Sequence, residues 1–211
     1  PEEFPLFLPE YEHLYLAVAM AVGLLGLAVR VYTVGFSPRN TSGRNTKVGQ
    51  VADTLNQTGI YSVVRHPLYL GNFLMWLGPA LVTANGWFIL AFCFLYWVYY
   101  ERIMFAEEQF LRKKFGDVYL QWSQGVPAFL PNFSNFISSN FPFSWKKVLK
   151  KEKNGLAALF LIFCLFDASV LIFKPDHQPN LLLIGLCIGT GLLYRVLKLL
   201  KNSQLMAEKD R

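Results

Sequence analysis

Residues 14–34 form an apolar block of about 21 residues. At a helical rise of about 1.5 Å per residue, such a block reaches across a hydrocarbon layer of about 30 Å. Further apolar blocks cover residues 68–84, 87–100, 156–173 and 181–200, more than the core of a 211-residue soluble protein would hide. Within lipid each backbone polar group has to be satisfied inside its own segment, so blocks of this kind fold as helices. The chain is therefore expected to be all-α: a polytopic membrane bundle of about five transmembrane helices, forming one domain over residues 1–211. The balance of 54% apolar to 16% charged residues agrees with lipid as the main solvent of its surface.

Local punctuation shapes the blocks. Gly78-Pro79 predicts a bend in the second helix, and Asn85-Gly86 a tight turn after it. The third block, short by itself, continues to Lys114 without Pro or Gly, which predicts one long helix projecting into the aqueous phase. Phe115-Gly116 ends it. Residues 122–143, rich in Pro, Asn, Ser and aromatics, suit the membrane interface. Residues 144–153 read as a basic amphipathic stretch with five lysines, favouring lipid headgroups or solvent. Residues 174–180, with two prolines, read as a turn. Arg30 reads as a side chain snorkelling to the interface, His13 as an interface histidine, and Asp167 as a partner for a polar neighbour in the bundle. Gly23 and Gly26 permit a close helix contact without establishing one.

The net charge of +6 does not point to nucleic acid, because the basic residues flank the apolar blocks as they do in membrane proteins. Cys93, Cys164 and Cys187 lie singly in apolar blocks, with no spacing for a metal or a disulfide framework. Residues 1–12 are acidic and lack the basic region of a cleavable leader. Basic residues concentrate in 35–62, in 112–153 and in the tail. Five crossings put these three regions on one side, expected to be cytoplasmic, with the N-terminus outside and the C-terminus cytoplasmic.

That topology brings two polar groups of residues to one face. Tyr61, Arg65, His66, Pro67, Tyr69 and Gly71 stand at the mouth of the second block, and Glu101, Arg102, Glu107 and Glu108 at the end of the third helix. Polar side chains at such a border are costly without partners or a task. The turn reads as a ligand-binding one, although a solvated helix end with internal ion pairs would carry the same residues. Pro67 fits the first turn of a helix and holds His66 extended. On the helix, Glu101, Met104, Phe105, Glu108, Leu111 and Arg112 share a face at helical spacing, with Glu107 beside it. No Gly-rich dinucleotide or Walker loop, Gly-x-Ser-x-Gly elbow or His-Glu-x-x-His pair occurs, so any cofactor is gripped by helices and loops.

The run Gly59-Ile-Tyr-Ser-Val-Val-Arg65-His66-Pro67-Leu-Tyr69-Leu-Gly71, then Glu107-Glu108-Gln-Phe-Leu111-Arg-Lys-Lys-Phe115-Gly116-Asp-Val-Tyr119 and Val126-Pro127, resembles the isoprenylcysteine carboxyl methyltransferase and phospholipid methyltransferase superfamily. The resemblance covers residues 59–131 and leaves the helical pair at 156–200 outside it. It implies an integral membrane enzyme using S-adenosylmethionine on a lipid or lipidated acceptor, with membrane lipids and no nucleic acid as partners. By resemblance, Gly59, Tyr61, His66, Pro67, Leu68 and Tyr69 line the cofactor pocket, Leu74 and residues 79–82 flank it, and Glu107 holds the cofactor from the other side. His66 or Glu108 would take a proton from an amine acceptor, and Arg65 or Arg102 would orient an anionic one. In the prenylcysteine branch an arginine stands four residues before that glutamate; here the position is Ile103, with Arg102 beside it. The displaced arginine inclines the expectation toward a lipid headgroup over a prenylated peptide. An NADPH-dependent membrane reductase, for which Arg39, Arg44 and Lys47 would be the phosphate contacts, and a non-catalytic lipid-binding protein are the alternatives.

Overall fold

A computed structural model describes residues 12–38, 45–46, 49–173 and 178–200. The acidic start, the side chain of His13, the bases Arg39, Arg44 and Lys47, residues 174–177 of the expected turn and the charged tail lie outside the described residues.

Among the described residues six α-helices follow in order: α1 (Glu12–Phe36), α2 (Pro67–Val82), α3 (Gly86–Phe115), α4 (Asp117–Gly125), α5 (Trp145–Phe173) and α6 (Leu181–Leu200). Among the described residues the only strands are two-residue β1 (Asn45–Thr46) and β2 (Gly49–Gln50), paired antiparallel. The all-α expectation therefore holds. Helices α1, α3, α5 and α6 are long and apolar enough to cross a membrane. Helix α2 is shorter at 16 residues, about 24 Å of rise, and carries Pro79 inside it. Large apolar side chains such as Phe94, Leu95, Ile172 and Leu181 stand more than half exposed on these helices, as lipid-facing residues do. The protein is an integral membrane protein.

Two boundaries differ from expectation. The basic stretch 144–153 and the apolar block 156–173 are one continuous 29-residue helix, α5. No proline separates them, and Gly155 stays within the helix, packed near Met75 and Leu27. Trp122 belongs to α4, a short helix that begins directly after the positive-φ turn at Gly116.

Helix α1 packs along α2 and α5, α2 also meets α3 and α5, and α6 leans on α5. The α1–α2 crossing depends on missing side chains. A Cβ on Gly26 would lie 2.5 Å from the Gly71 carbonyl oxygen and from the Met75 nitrogen, and one on Gly78 would lie 2.7 Å from the Ala19 oxygen. The glycines thus let two backbones touch, which is how helices in lipid gain dispersion contact without a hydrophobic driving force. Beside the crossing, Ala19, Leu159, Phe163 and Leu183 form the buried core that joins α1, α5 and α6. Asp167 on α5 accepts the Asn180 amide at 2.8 Å, while Asn180 caps the first amides of α6. Its partner is thus a helix terminus, a structural role.

Candidate active site

The turn before α2 is built from local geometry and then held by a distant segment. Gly59 has φ 64° and ψ −137°, a conformation essentially reserved for glycine, and starts a 3-10 turn at Ile60–Ser62. The Ser62 hydroxyl donates to the Gly59 oxygen at 2.7 Å, closing the turn on itself. Pro67 occupies the first turn of α2, where its missing N–H costs nothing. His66 caps that helix with φ −119° and ψ 59°, short of the fully extended conformation expected before a proline, because its carbonyl already accepts the Tyr69 and Leu70 amides.

Residues 126–139 form a strap along this turn. Arg65 N donates to the Pro127 oxygen at 2.9 Å, His66 N to the Ala128 oxygen at 3.1 Å, Asn132 N to the Val63 oxygen at 2.9 Å, and Gly59 N to the Ile137 oxygen at 2.8 Å. Ile137 N in turn donates to Ser62 Oγ. The turn is thereby paired on one side as an edge strand would be. Farther on, Phe143 packs on Gly35 and Phe36, and the Lys147 ammonium donates to the Ser37 carbonyl, tying the strap and α5 to the end of α1.

Side chains from this turn meet α3. Glu107 and Glu108 are adjacent and so about 100° apart around the helix; they take opposite sides of the His66 imidazole. Glu107, 6% exposed, accepts the Tyr69 hydroxyl at 2.6 Å and stands 3.8 Å from His66 Nδ1. Glu108 Oε1 lies 3.0 Å from His66 Nε2 and 3.0 Å from Arg65 Nε, with Arg112 at 3.5 Å from its other oxygen. Arg65 also donates to the Ser123 carbonyl at 2.6 Å, which fixes α4 beneath it. Behind the turn, burial pushes the Tyr61 hydroxyl up to about 12, the Glu107 carboxylate adding to the effect and a hydrogen bond with Ser37 opposing it. Tyr119 is likewise raised to about 12, first by burial and then by the Glu108 charge.

A half-open cavity of ≈ 200 Å³ lies at this meeting point. Of the residues singled out in the sequence, Tyr61, Arg65, His66, Pro67, Leu68, Tyr69 and Glu107 line it. Glu108 stands behind His66 and Arg65. Gly59 and Leu74 are not lining residues: Gly59 shapes the turn, and Leu74 packs at the α1–α2 crossing. Arg102 and Glu101 are exposed and away from the cavity, as is Phe105. The inward face of α3 runs through Tyr96, Met104, Glu107 and Leu111. It is rotated from the face read off the sequence, because helical spacing groups Phe105 and Glu108 with Met104 and does not say which side of that group meets α2. Arg30, Leu55, Asn56, Asn72, Leu111 and Trp122 complete the wall, and of these only Leu111 belongs to the helix face read from the sequence. Arg30 does not snorkel: Glu152 of α5 grips its guanidinium. The buried indole Nε1 of Trp122 has no hydrogen-bond partner among the described residues.

A second hollow of ≈ 270 Å³ opens on the lipid side, walled by Phe73, by Leu90, Phe94, Tyr96 and Trp97 of α3, and by Phe129 of the strap. The two hollows share a partition, since the Tyr96 hydroxyl donates to the Tyr69 carbonyl at 2.7 Å.

Residues 17–118 match the family model described as phospholipid methyltransferase. The protein-S-isoprenylcysteine O-methyltransferase of Schizosaccharomyces pombe is 37% identical over 73 residues, 35% of this chain and 31% of that protein. Protein-S-isoprenylcysteine O-methyltransferase B of Arabidopsis thaliana is 37% identical over 74 residues, 35% of this chain and 37% of the relative. The Saccharomyces cerevisiae protein-S-isoprenylcysteine O-methyltransferase is 32% identical over 77 residues, 36% of this chain and 32% of the relative. The chain thus spans about a third of the length of these relatives.

Proposed function

We propose that this chain, whose core over residues 17–118 belongs to the isoprenylcysteine carboxyl methyltransferase and phospholipid methyltransferase superfamily, carries out S-adenosylmethionine-dependent methyl transfer to a lipid or lipidated acceptor. The observation that supports this reading most directly is the buried Glu107 carboxylate, bonded to Tyr69 and facing His66, in a cavity adjoining an aromatic groove open to lipid. A buried carboxylate is expensive to keep charged unless a cation or strong donors compensate it. The donor molecule carries two cationic centres, and the unpartnered Trp122 N–H on the same wall suits one of its acceptor atoms. The residues present therefore fit this cofactor: Glu107, Tyr69 and Trp122 would hold it, with Pro67 and Leu68 as apolar wall. Bound there, it supplies a methyl group on a sulfonium that needs no further activation.

The work left to the protein is alignment and exclusion of water. The strap and Pro67 hold the His66 turn rigid, and the aromatic groove takes the acceptor's hydrocarbon chain out of bulk lipid. An ionised carboxylate or phosphate acceptor needs no base. An amine acceptor passes its proton to His66, whose Nε2 is already bonded to Glu108. Arg65 is held by Glu108 and Ser123, and we assign it to holding this turn and orienting an anionic acceptor. The relatives act, by name, on prenylated cysteine; with Ile103 in the position of that branch's arginine and Arg102 outside the cavity, a lipid headgroup is the acceptor we favour. The basic flanks support a site at the cytoplasmic face, since loops rich in Lys and Arg stay on that side.

The test is equilibrium binding of S-adenosylhomocysteine, with NADPH as rival ligand, to detergent-purified protein. Saturable binding of the first, weakened about 10- to 150-fold by Glu107→Gln, is expected for loss of a charge-assisted hydrogen bond worth about 1.5–3 kcal/mol. Wild-type affinity in Glu107→Gln, or binding of NADPH alone, refutes the reading.

A further inference from the structure

Helix α5 lies beyond the residues matched to the family, yet one of its side chains reaches the wall of the candidate site. Glu152, 4% exposed, accepts Arg30 Nε at 2.7 Å and Arg30 Nη2 at 2.8 Å, a two-pronged grip. Arg30 Nη1 donates to Asn72 Oδ1 on α2. Arg30 crosses α2 where that helix has no side chain, since a Cβ on Gly71 would lie 2.5 Å from Arg30 Cγ. Three helices and one missing side chain thus place a single guanidinium, and both Arg30 and Asn72 line the cavity that holds Tyr69, His66 and Glu107.

Stability alone is a poor reason for this construction. Desolvating both ions offsets most of their attraction, and an apolar pair of similar volume would hold three helices together at least as well. Charges kept inside a membrane bundle mark ligand or ion pathways more often than scaffolding. The guanidinium has five N–H groups, of which three are engaged, and the other two have no partner among the described residues. Across the same cavity stands Glu107, of opposite charge. The pair complements a ligand that carries both an ammonium and an anionic oxygen.

We infer that Glu152 is a positioning residue of the site: it locks the Arg30 guanidinium at the cavity wall, where its remaining N–H groups receive an anionic oxygen of a ligand. The inference rests on the methyltransferase reading above. That oxygen belongs either to the carboxylate of the cofactor's amino-acid end or to an acidic headgroup of the acceptor, and both are the same chemistry to a guanidinium. Helix α5 then has a function in the site as well as in the bundle.

The experiment compares three ligands on the detergent-purified chain by calorimetry: S-adenosylhomocysteine, 5′-methylthioadenosine, which keeps the nucleoside but lacks the amino-acid end, and short-chain phosphatidic acid against the diacylglycerol of the same chain length. Variants are Arg30→Gln, Glu152→Gln, and the double variant Arg30→Gln/Glu152→Gln, which leaves no orphaned charge and so guards against unfolding. A loss of about tenfold or more for S-adenosylhomocysteine, with methylthioadenosine unchanged, supports the inference and identifies the cofactor carboxylate. Unchanged nucleosides with a similar loss for phosphatidic acid alone support it and identify the acceptor. In either case Glu152→Gln weakens the same ligand and spares the others. Equal weakening of all ligands, or wild-type affinities throughout, overturns the inference, the first result leaving Glu152 a purely structural role. Wild-type protein that binds neither nucleoside refutes the methyltransferase reading itself, and this inference falls with it.

Discussion

The α1–α2 crossing makes Gly26→Ala the most informative single substitution in the bundle. A Cβ at this position would lie 2.5 Å from two backbone atoms, the Gly71 oxygen and the Met75 nitrogen, and 2.8 Å from Leu74 Cβ. Ordinary contact begins at 3.4 Å, so α2 has to retreat by about 0.9 Å, and no rotamer change relieves a clash with backbone. Overpacking of this kind costs about 1–3 kcal/mol, which lowers the unfolding midpoint of a chain this size by roughly 2–12 °C at about 2–4 °C per kcal/mol. The same retreat carries Tyr69 and Asn72 away from α1 and Arg30. Since Arg30, Tyr69 and Asn72 all line the cavity, affinity for S-adenosylhomocysteine should fall together with the midpoint. Intrinsic tryptophan fluorescence on heating, paired with calorimetry in the same detergent, reads both effects. Gly185→Ala on α6, where nothing lies within 4 Å of the added methyl, is the comparison and should leave both unchanged or raise the midpoint slightly. Wild-type midpoint and affinity in Gly26→Ala would refute the close crossing and the positioning argument drawn from it.

Gly59→Ala forces a side chain into φ 64°, ψ −137° and within 3.3 Å of Ser139 Cβ. A loss of about 1–3 kcal/mol is expected from the strain, visible as a lower midpoint and weaker S-adenosylhomocysteine binding, and an unaffected protein would mean the turn is held otherwise. Tyr61 has its proton held to about 12 in the folded protein, against an ordinary 10.0 in the unfolded chain. The unfolded chain therefore releases this proton first on going alkaline, so the contribution of Tyr61 to stability is constant below 10.0 and declines as pH rises from there toward about 12. Unfolding midpoints measured across that range should show a shallower decline in Tyr61→Phe, and an identical slope would contradict the buried, neutral hydroxyl.

Much of the bundle is legible in composition and periodicity, because a helix in lipid satisfies its own backbone and so announces itself within one stretch of chain. The apolar blocks, the uninterrupted run from Trp87 to Phe115 that became α3, and the turn from Gly59 into α2 at Pro67 all belong to this class. The pairing of the turn with the Glu107-Glu108 dipeptide was readable too, through topology and family resemblance. What the sequence left open are choices among equally apolar or equally polar alternatives. The phase of α3 put Met104 and Glu107 inward and Arg102 and Phe105 outward, which only the direction of approach of α2 decides. The strap at residues 126–139 lacks the alternation of a strand, yet it closes the turn through backbone groups that carry no side-chain signature. Arg30 and Glu152 stand 122 residues apart, and each alone looks like an interfacial charge. Local pattern determined which segments are helices and which turn carries the polar cluster. The crossing of α1 over α2 at Gly26 and Gly71, and the return of α5 beside them, decided which charges share a cavity, because such contacts depend on the distance between backbones and leave no period in the chain.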